Sequence, residues 1–176
     1  QLKNKMLFDL YHYPNNNRKV FLDFFTTPIL KNYLVAVKCL QQSKCYMPYS
    51  SELYEVNQLI EKNKIDKAYK FLLKNSANMI LSPSFHWVMS FILNELKEDE
   101  DANLSFMIST NCIKGILSSG NGSKEKPYLI TRISDEHDVL EHLEKILALQ
   151  SLEKIDGNSY DHLQCTDKSE LWFDIT

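Results

Sequence analysis

The sequence predicts an α+β fold: N-terminal antiparallel helical hairpins of tetratricopeptide-like type, followed by a small C-terminal antiparallel β-sheet with one helix. Three observations predict it. Apolar residues recur at helical spacing from Leu2 onward. A helical hairpin carrying Ala68 and Leu72 is echoed 34 residues later by Ala102 and Phe106. After Gly120-Asn121-Gly122 the chain turns to strand formers and ends in strict alternation, Leu171-Trp172-Phe173-Asp174-Ile175.

In chain order, Leu2, Met6, Leu10 and Tyr13 mark a first helix, which Pro14-Asn15-Asn16-Asn17 breaks. Residues 20–39 are largely apolar, with Pro28 inside. Two helices are expected there, one ending near Phe25, the next having Thr27 as cap and Pro28 in its first turn. After the loop Tyr46-Met47-Pro48-Tyr49-Ser50-Ser51, Ser51 is expected to cap a helix with Leu53, Val56, Leu59 and Ile60 inward. A second helix, from about Asp66, turns Ala68, Tyr69, Leu72 and Leu73 inward. The short connection near Asn63 makes the pair antiparallel.

The 34-residue shift is the period of tetratricopeptide helix pairs. It places Leu53 on Trp87, Leu59 on Leu93, Ala68 on Ala102, Leu72 on Phe106 and Leu73 on Met107. The helix from about Glu100 should end at Ser118-Ser119-Gly120-Asn121-Gly122, where Gly and Asn accept a positive φ. Residues 128–133 read as a strand. Ser134 then caps a helix with Asp135 and Glu136 complementing its dipole and Val139, Leu140, Leu143, Ile146 and Leu147 inward. Three strands, 150–155, 160–165 and the terminal one, form a meander that turns at Asp156-Gly157 and Asp167-Lys168. Leu171, Phe173 and Ile175 face the core, Trp172 and Asp174 the other side.

The 176 residues are expected to form a single domain (1–176), with 1–120 helical and 127–176 a β-unit with one helix. A content of 44% hydrophobic residues predicts a real core rather than disorder. Twenty basic and 23 acidic residues, net −3, are interspersed, so no nucleic-acid partner is expected. The longest apolar run, from Trp87 to Leu93, is short and interrupted by Ser90, so no membrane span is expected. No secretion signal is read, but the chain starts at Gln1, as a processed product would, which leaves the compartment open, a cytoplasmic location being the alternative to an exported one.

The C-terminal third resembles an uncharacterised bacterial family, DUF4919 (domain of unknown function 4919). The residues that carry this are Ile116-Leu117-Ser118-Ser119-Gly120-Asn121-Gly122, Ile133-Ser134-Asp135-Glu136-His137-Asp138-Val139-Leu140, Gln150-Ser151-Leu152 and Leu171-Trp172-Phe173-Asp174-Ile175, with Tyr46-Met47-Pro48-Tyr49 upstream. Together they span about half the chain, in the family's order. The sequence departs from the family at Asn121, where Asp is usual, at His137, where Tyr is usual, and through its N-terminal half. The resemblance implies an exported, periplasmic or otherwise extracytoplasmic protein, helix-rich and then β. It implies no activity.

Familiar chemistries find no footing. Cys39, Cys45, Cys112 and Cys165 lack zinc spacing and read as small hydrophobes, with a Cys39–Cys45 disulfide open if the helix ends near Gln42. There is no Gly-x-Ser-x-Gly elbow. Cys165 and His162 should lie on opposite faces of a strand. His137 and His142 are five apart, not a metal-binding pair, so His137, Asp138, Glu141 and His142 read as a solvated helix face. The Gly-rich 118–126 segment follows a helix and precedes a strand, the reverse of a phosphate loop. Glu98-Asp99-Glu100-Asp101 reads as a solvated helix start, or a docking surface for a basic partner. No catalytic residue, metal or cofactor is expected, and the chain reads as not an enzyme.

What remains is contact with a protein partner. Tyr46, Tyr49 and Tyr54 form an aromatic patch that is either packing or interface. With Trp87 and Trp172 they are the candidate partner-binding residues, and the concave face of the helical pairs is the expected groove. A narrower reading is an immunity-type inhibitor that neutralises a secreted bacterial toxin. An enzyme of unrecognised class is the remaining alternative.

Overall fold

A computed structural model describes residues 15–175. The helix expected over Leu2, Met6, Leu10 and Tyr13 lies outside the described residues. Six helices come first: α1 (Asn15–Thr26), α2 (Leu30–Gln41), α3 (Glu52–Glu61), α4 (Ile65–Met79), α5 (Pro83–Glu95) and α6 (Asp99–Ser119). Then follow β1 (Tyr128–Leu129), α7 (Asp135–His142), β2 (Leu147–Ile155), β3 (Asn158–Cys165) and β4 (Glu170–Asp174). The arrangement is α+β, as the sequence predicts. No helix among the described residues is long and apolar enough to cross a membrane.

The first hairpin has its two helices, but Thr27 is not the cap of α2. Its carbonyl accepts the Ile29 N–H and the Asn32 side chain, and Ile29 stands at the N-cap position. The Ile29 N–H to Thr27 O bond turns the chain tightly at Pro28, and Ile29 is extended before the helix starts, so the turn is set by backbone and Asn32 contacts. Phe21, Phe24 and Phe25 of α1 and Tyr33, Ala36, Val37 and Leu40 of α2 are buried. They close on α6 at Gly115. A methyl there would sit 2.5 Å from Tyr33 Cδ2 and 2.6 Å from Phe24 Cζ, so the helices meet only because Gly115 has no side chain.

The 34-residue echo is real in the backbone. Asn63 and Lys97, 34 apart, both take a positive φ, 53° and 64°. Each turn is closed by the same bond, Lys64 N–H to Leu59 O and Glu98 N–H to Leu93 O, both 2.9 Å. This is the Schellman closure that satisfies a helix's last carbonyls. Ala68 and Ala102 are both buried one turn later. The echo fades in the side chains. Leu72 is fully buried, yet its counterpart Phe106 is 56% exposed; Met107 and Trp87 are exposed as well. The cause is position: α4 has α5 on its far side, whereas α6 is followed by the β-unit, which meets it near Ser119.

The sheet order is β1-β4-β3-β2. It is mixed, not antiparallel throughout, because β1 pairs parallel with β4, Tyr128 opposite Phe173. The strand expected over 128–133 keeps only two residues; Thr131 and Arg132 leave it to serve a buried polar network. Asp156-Gly157 makes the β2–β3 turn with φ 51° and 86°, the left-handed pair of a tight hairpin. Asp161, Leu163, Cys165, Leu171 and Phe173 share the buried face. The stripe assigned to α7 is shorter than expected, because the helix ends at His142, Leu147 begins β2, and Ile146 is 69% exposed. Cys39 and Cys45 are not bridged.

Candidate functional site

The aromatic loop is first a tie between the two halves. The Tyr46 hydroxyl donates to Thr131 O at 3.0 Å. The Asn78 amide, from α4, accepts the Met47 N–H at 2.7 Å and donates to Ser50 Oγ and Glu52 Oε1. From the other side Arg132, 2% exposed, donates to Ser50 O (2.9 Å), Ser50 Oγ (3.0 Å) and Glu52 Oε2 (3.3 Å). Burial pushes the Glu52 carboxyl up, but hydrogen bonds from Ser50, its own backbone and Asn78, with the Arg132 charge, outweigh that and hold it low. The Glu52–Arg132 pair therefore stays ionised inside the protein. Tyr46 is a structural residue. Tyr49 and Tyr54, by contrast, are 73% and 68% exposed.

Trp172 is also structural. It is 8% exposed, stacked on His162 with ring centres 4.3 Å apart, with Lys124 Nζ 5.3 Å from its ring. It does not form a surface contact, because β3 and the 122–126 loop cover the face opposite the core; Trp172 N–H bonds Gly122 O. His162 lies 3.3 Å from Glu170, on the opposite strand face from buried Cys165, so no Cys/His pair forms.

The concave feature lies elsewhere, at the N-terminal end of α5. A cleft of about 480 Å³ opens there beneath α7. α3 contributes Leu53 and Asn57, one turn apart; α5 contributes Ser84, Trp87 and Val88 from one face. Ser109 and Ile113 of α6 form its floor. α7 presents His137, Asp138, Glu141 and His142. His137, Glu141 and His142 are exposed, as a solvated helix face would be, and only Asp138 is drawn from it against α5. Of the five aromatic candidates, only Trp87, 57% exposed, lines this cleft.

Asp138 holds α7 and α5 together. One carboxylate oxygen accepts the Ser84 N–H at 3.1 Å, the other the Ser84 hydroxyl. This supplies the first turn of α5 with an acceptor that Ser82, at its N-cap, does not give. Burial raises Asp138 to about 6, Ser84 opposing and Glu141 assisting. Sequence spacing could not reveal this contact, because the partners are 54 residues apart.

Behind Asp138 the first turn of α7 is buried, not dipole-facing. Asp135 is fully buried; its Oδ2 accepts the Thr131 N–H, the Thr131 hydroxyl and the Arg132 N–H. Burial and then Asp138 raise it to about 7, against Arg132 and Ser82. Glu136, 1% exposed, shares the Gln150 amide with Asp161, and burial raises it to about 9. Neither lines the cleft. His86, fully buried between Phe25 and Phe85, holds Ile80 O at 2.7 Å, and burial lowers it to about 4. Among the described residues no three His, Cys, Asp or Glu side chains gather to hold a metal ion.

Set against known proteins, the chain matches no family model, no curated protein and no solved structure.

Proposed function

We propose that the chain is a non-enzymatic protein-interaction module that receives part of a protein partner in the cleft between α3, α5 and α7. The observation that carries this reading is Trp87, more than half exposed in the wall of a shaped concavity. A large aromatic left in water is a ready anchor, since burying it in a complex removes much apolar area. Two further features support it. The Ser84 hydroxyl is committed to Asp138, and the strongly raised acids Asp135 and Glu136 are sealed away from the cleft. Tyr54, on the same helix as Leu53 and Asn57, is 68% exposed, a second large aromatic left in water on that element.

The test is a photo-reactive side chain at Asn57, exposed in the cleft, to trap the partner in cells of the source organism. The identified partner is then purified and titrated against wild type and Trp87→Ala. Loss of an interface anchor costs about 2 kcal/mol or more, so affinity should fall at least about 30-fold. Equal affinity for both proteins would sink the proposal.

The narrower reading, an immunity-type inhibitor of a secreted toxin, is supported by the two carboxylates in the cleft, Asp138 and Glu141, which suit the masking of a basic active site. It requires the trapped partner to be a toxin whose activity the protein abolishes. Kinship with DUF4919, and with it an extracytoplasmic location, is proposed on the motif residues alone. They fall in the loop between α2 and α3, at the end of α6, along α7, and in β2 and β4. A family member's structure showing the β1-β4-β3-β2 order would test it.

A further inference from the structure

We infer that the cleft is a pocket for a cationic side chain, a lysine or arginine presented by the partner, with the Trp87 ring as its wall and Asp138 and Glu141 as its counter-charges. This deepens the partner-binding reading and rests on it.

Charge complementarity carries the inference. The cleft is lined by two carboxylates and two imidazoles, His137 and His142, and by no lysine or arginine, so no permanent positive charge stands in it. The hydrogen-bond donors to Asp138 are neutral, the N–H and hydroxyl of Ser84, and of the charged groups nearby Glu141 opposes its ionisation while His137 favours it. Its partial burial, which lifts it to about 6, would be relieved by an incoming positive charge. Cations bind well over an indole face, and better where the site is partly desolvated. The two tryptophans make the contrast. Trp172 has a cation supplied by the chain itself, Lys124, while among the described residues none lies over Trp87. The volume, about 480 Å³, exceeds one lysine or arginine side chain and leaves room for its neighbours in an extended segment.

The probes are N-acetyl-arginine amide and N-acetyl-lysine amide, with the leucine and glutamate amides as neutral and anionic counterparts. Each is titrated into the full-length protein while the two indole N–H resonances are followed by NMR, assigned with Trp172→Phe. The cationic amides should shift the Trp87 resonance saturably and leave that of Trp172 in place. Glu141→Gln, an exposed change that spares the fold, should weaken them by about two- to five-fold, the worth of a partly exposed charge pair. Equal or stronger shifts with the leucine or glutamate amide, no saturable shift with the cationic ones, or no loss on Glu141→Gln would each overturn the inference. If the partner feels Trp87→Ala but the cationic amides fail, only the pocket's charge preference falls. If the partner ignores Trp87→Ala, the module's use of the cleft falls, whatever the amides do.

Discussion

Arg132 shows how much one buried side chain can hold. Its guanidinium reaches the 47–50 loop and Glu52, while its own N–H serves Asp135. Arg132→Met leaves Glu52 charged and uncompensated, so it should cost about 3–5 kcal/mol in urea unfolding. Adding Glu52→Gln should recover part of that loss, and strict additivity would reject the coupling. Glu136 makes a pH prediction. Its folded pKa, about 9, lies above its ordinary 4.5, so the fold favours the protonated form. That stability is full below about 4.5 and is lost as pH rises towards 9. Asp135 and Asp138, raised to about 7 and about 6, act in the same direction. Wild type should lose unfolding free energy steadily through that window, and Glu136→Gln should lose less; parallel curves would refute the assignment. None of this is legible in sequence. An acid in the first turn of a helix looks like a dipole partner whether water or Gln150 lies beside it.

Among the elements, the two helical turns are the most legible part. The 34-residue period and the short connections predict antiparallel hairpins, and the structure gives both turns one backbone geometry. Lys97 holds a left-handed φ that suits Gly, or Asn as at Asn63. Lys97→Gly should therefore stabilise the protein by about 0.5–1 kcal/mol, since relief of left-handed strain outweighs the added freedom of the unfolded chain. Asn63→Gly should gain less. Equal gains in chemical denaturation would show that Lys97 is not strained. The elements misjudged are those whose limits are set from afar. The strand at 128–133 stops after Leu129 because Thr131 and Arg132 turn to Asp135. The start of α5 takes its cap from α7. The candidate site was legible only at Trp87, because its walls come from α3, α5, α6 and α7, and no local pattern records which helix faces another.

Across the molecule, the helices and the β-unit share a core and are tied by long-range polar bonds: Tyr33 to Leu129, Tyr46 to Thr131, and Arg132 to Ser50 and Glu52. They should unfold together. In a Trp87→Phe background, Trp172 fluorescence reports the β-unit and far-UV circular dichroism is dominated by the helices. The two transitions should share one midpoint, and separated midpoints would show two independent units.

The sequence by itself determined the helical first part, the hairpin turns and their 34-residue spacing, the Asp156-Gly157 turn and the alternation of β4. Each of these rests on neighbours within a few residues, where periodicity and turn chemistry act. Only the tertiary structure decided that β1 joins β4 in parallel, that Tyr46 and Trp172 are packed while Trp87 is not, and that the acids of α7 divide between core and cleft. Those outcomes depend on which surfaces meet across 50 to 100 residues, and burial there can override what any single segment prefers.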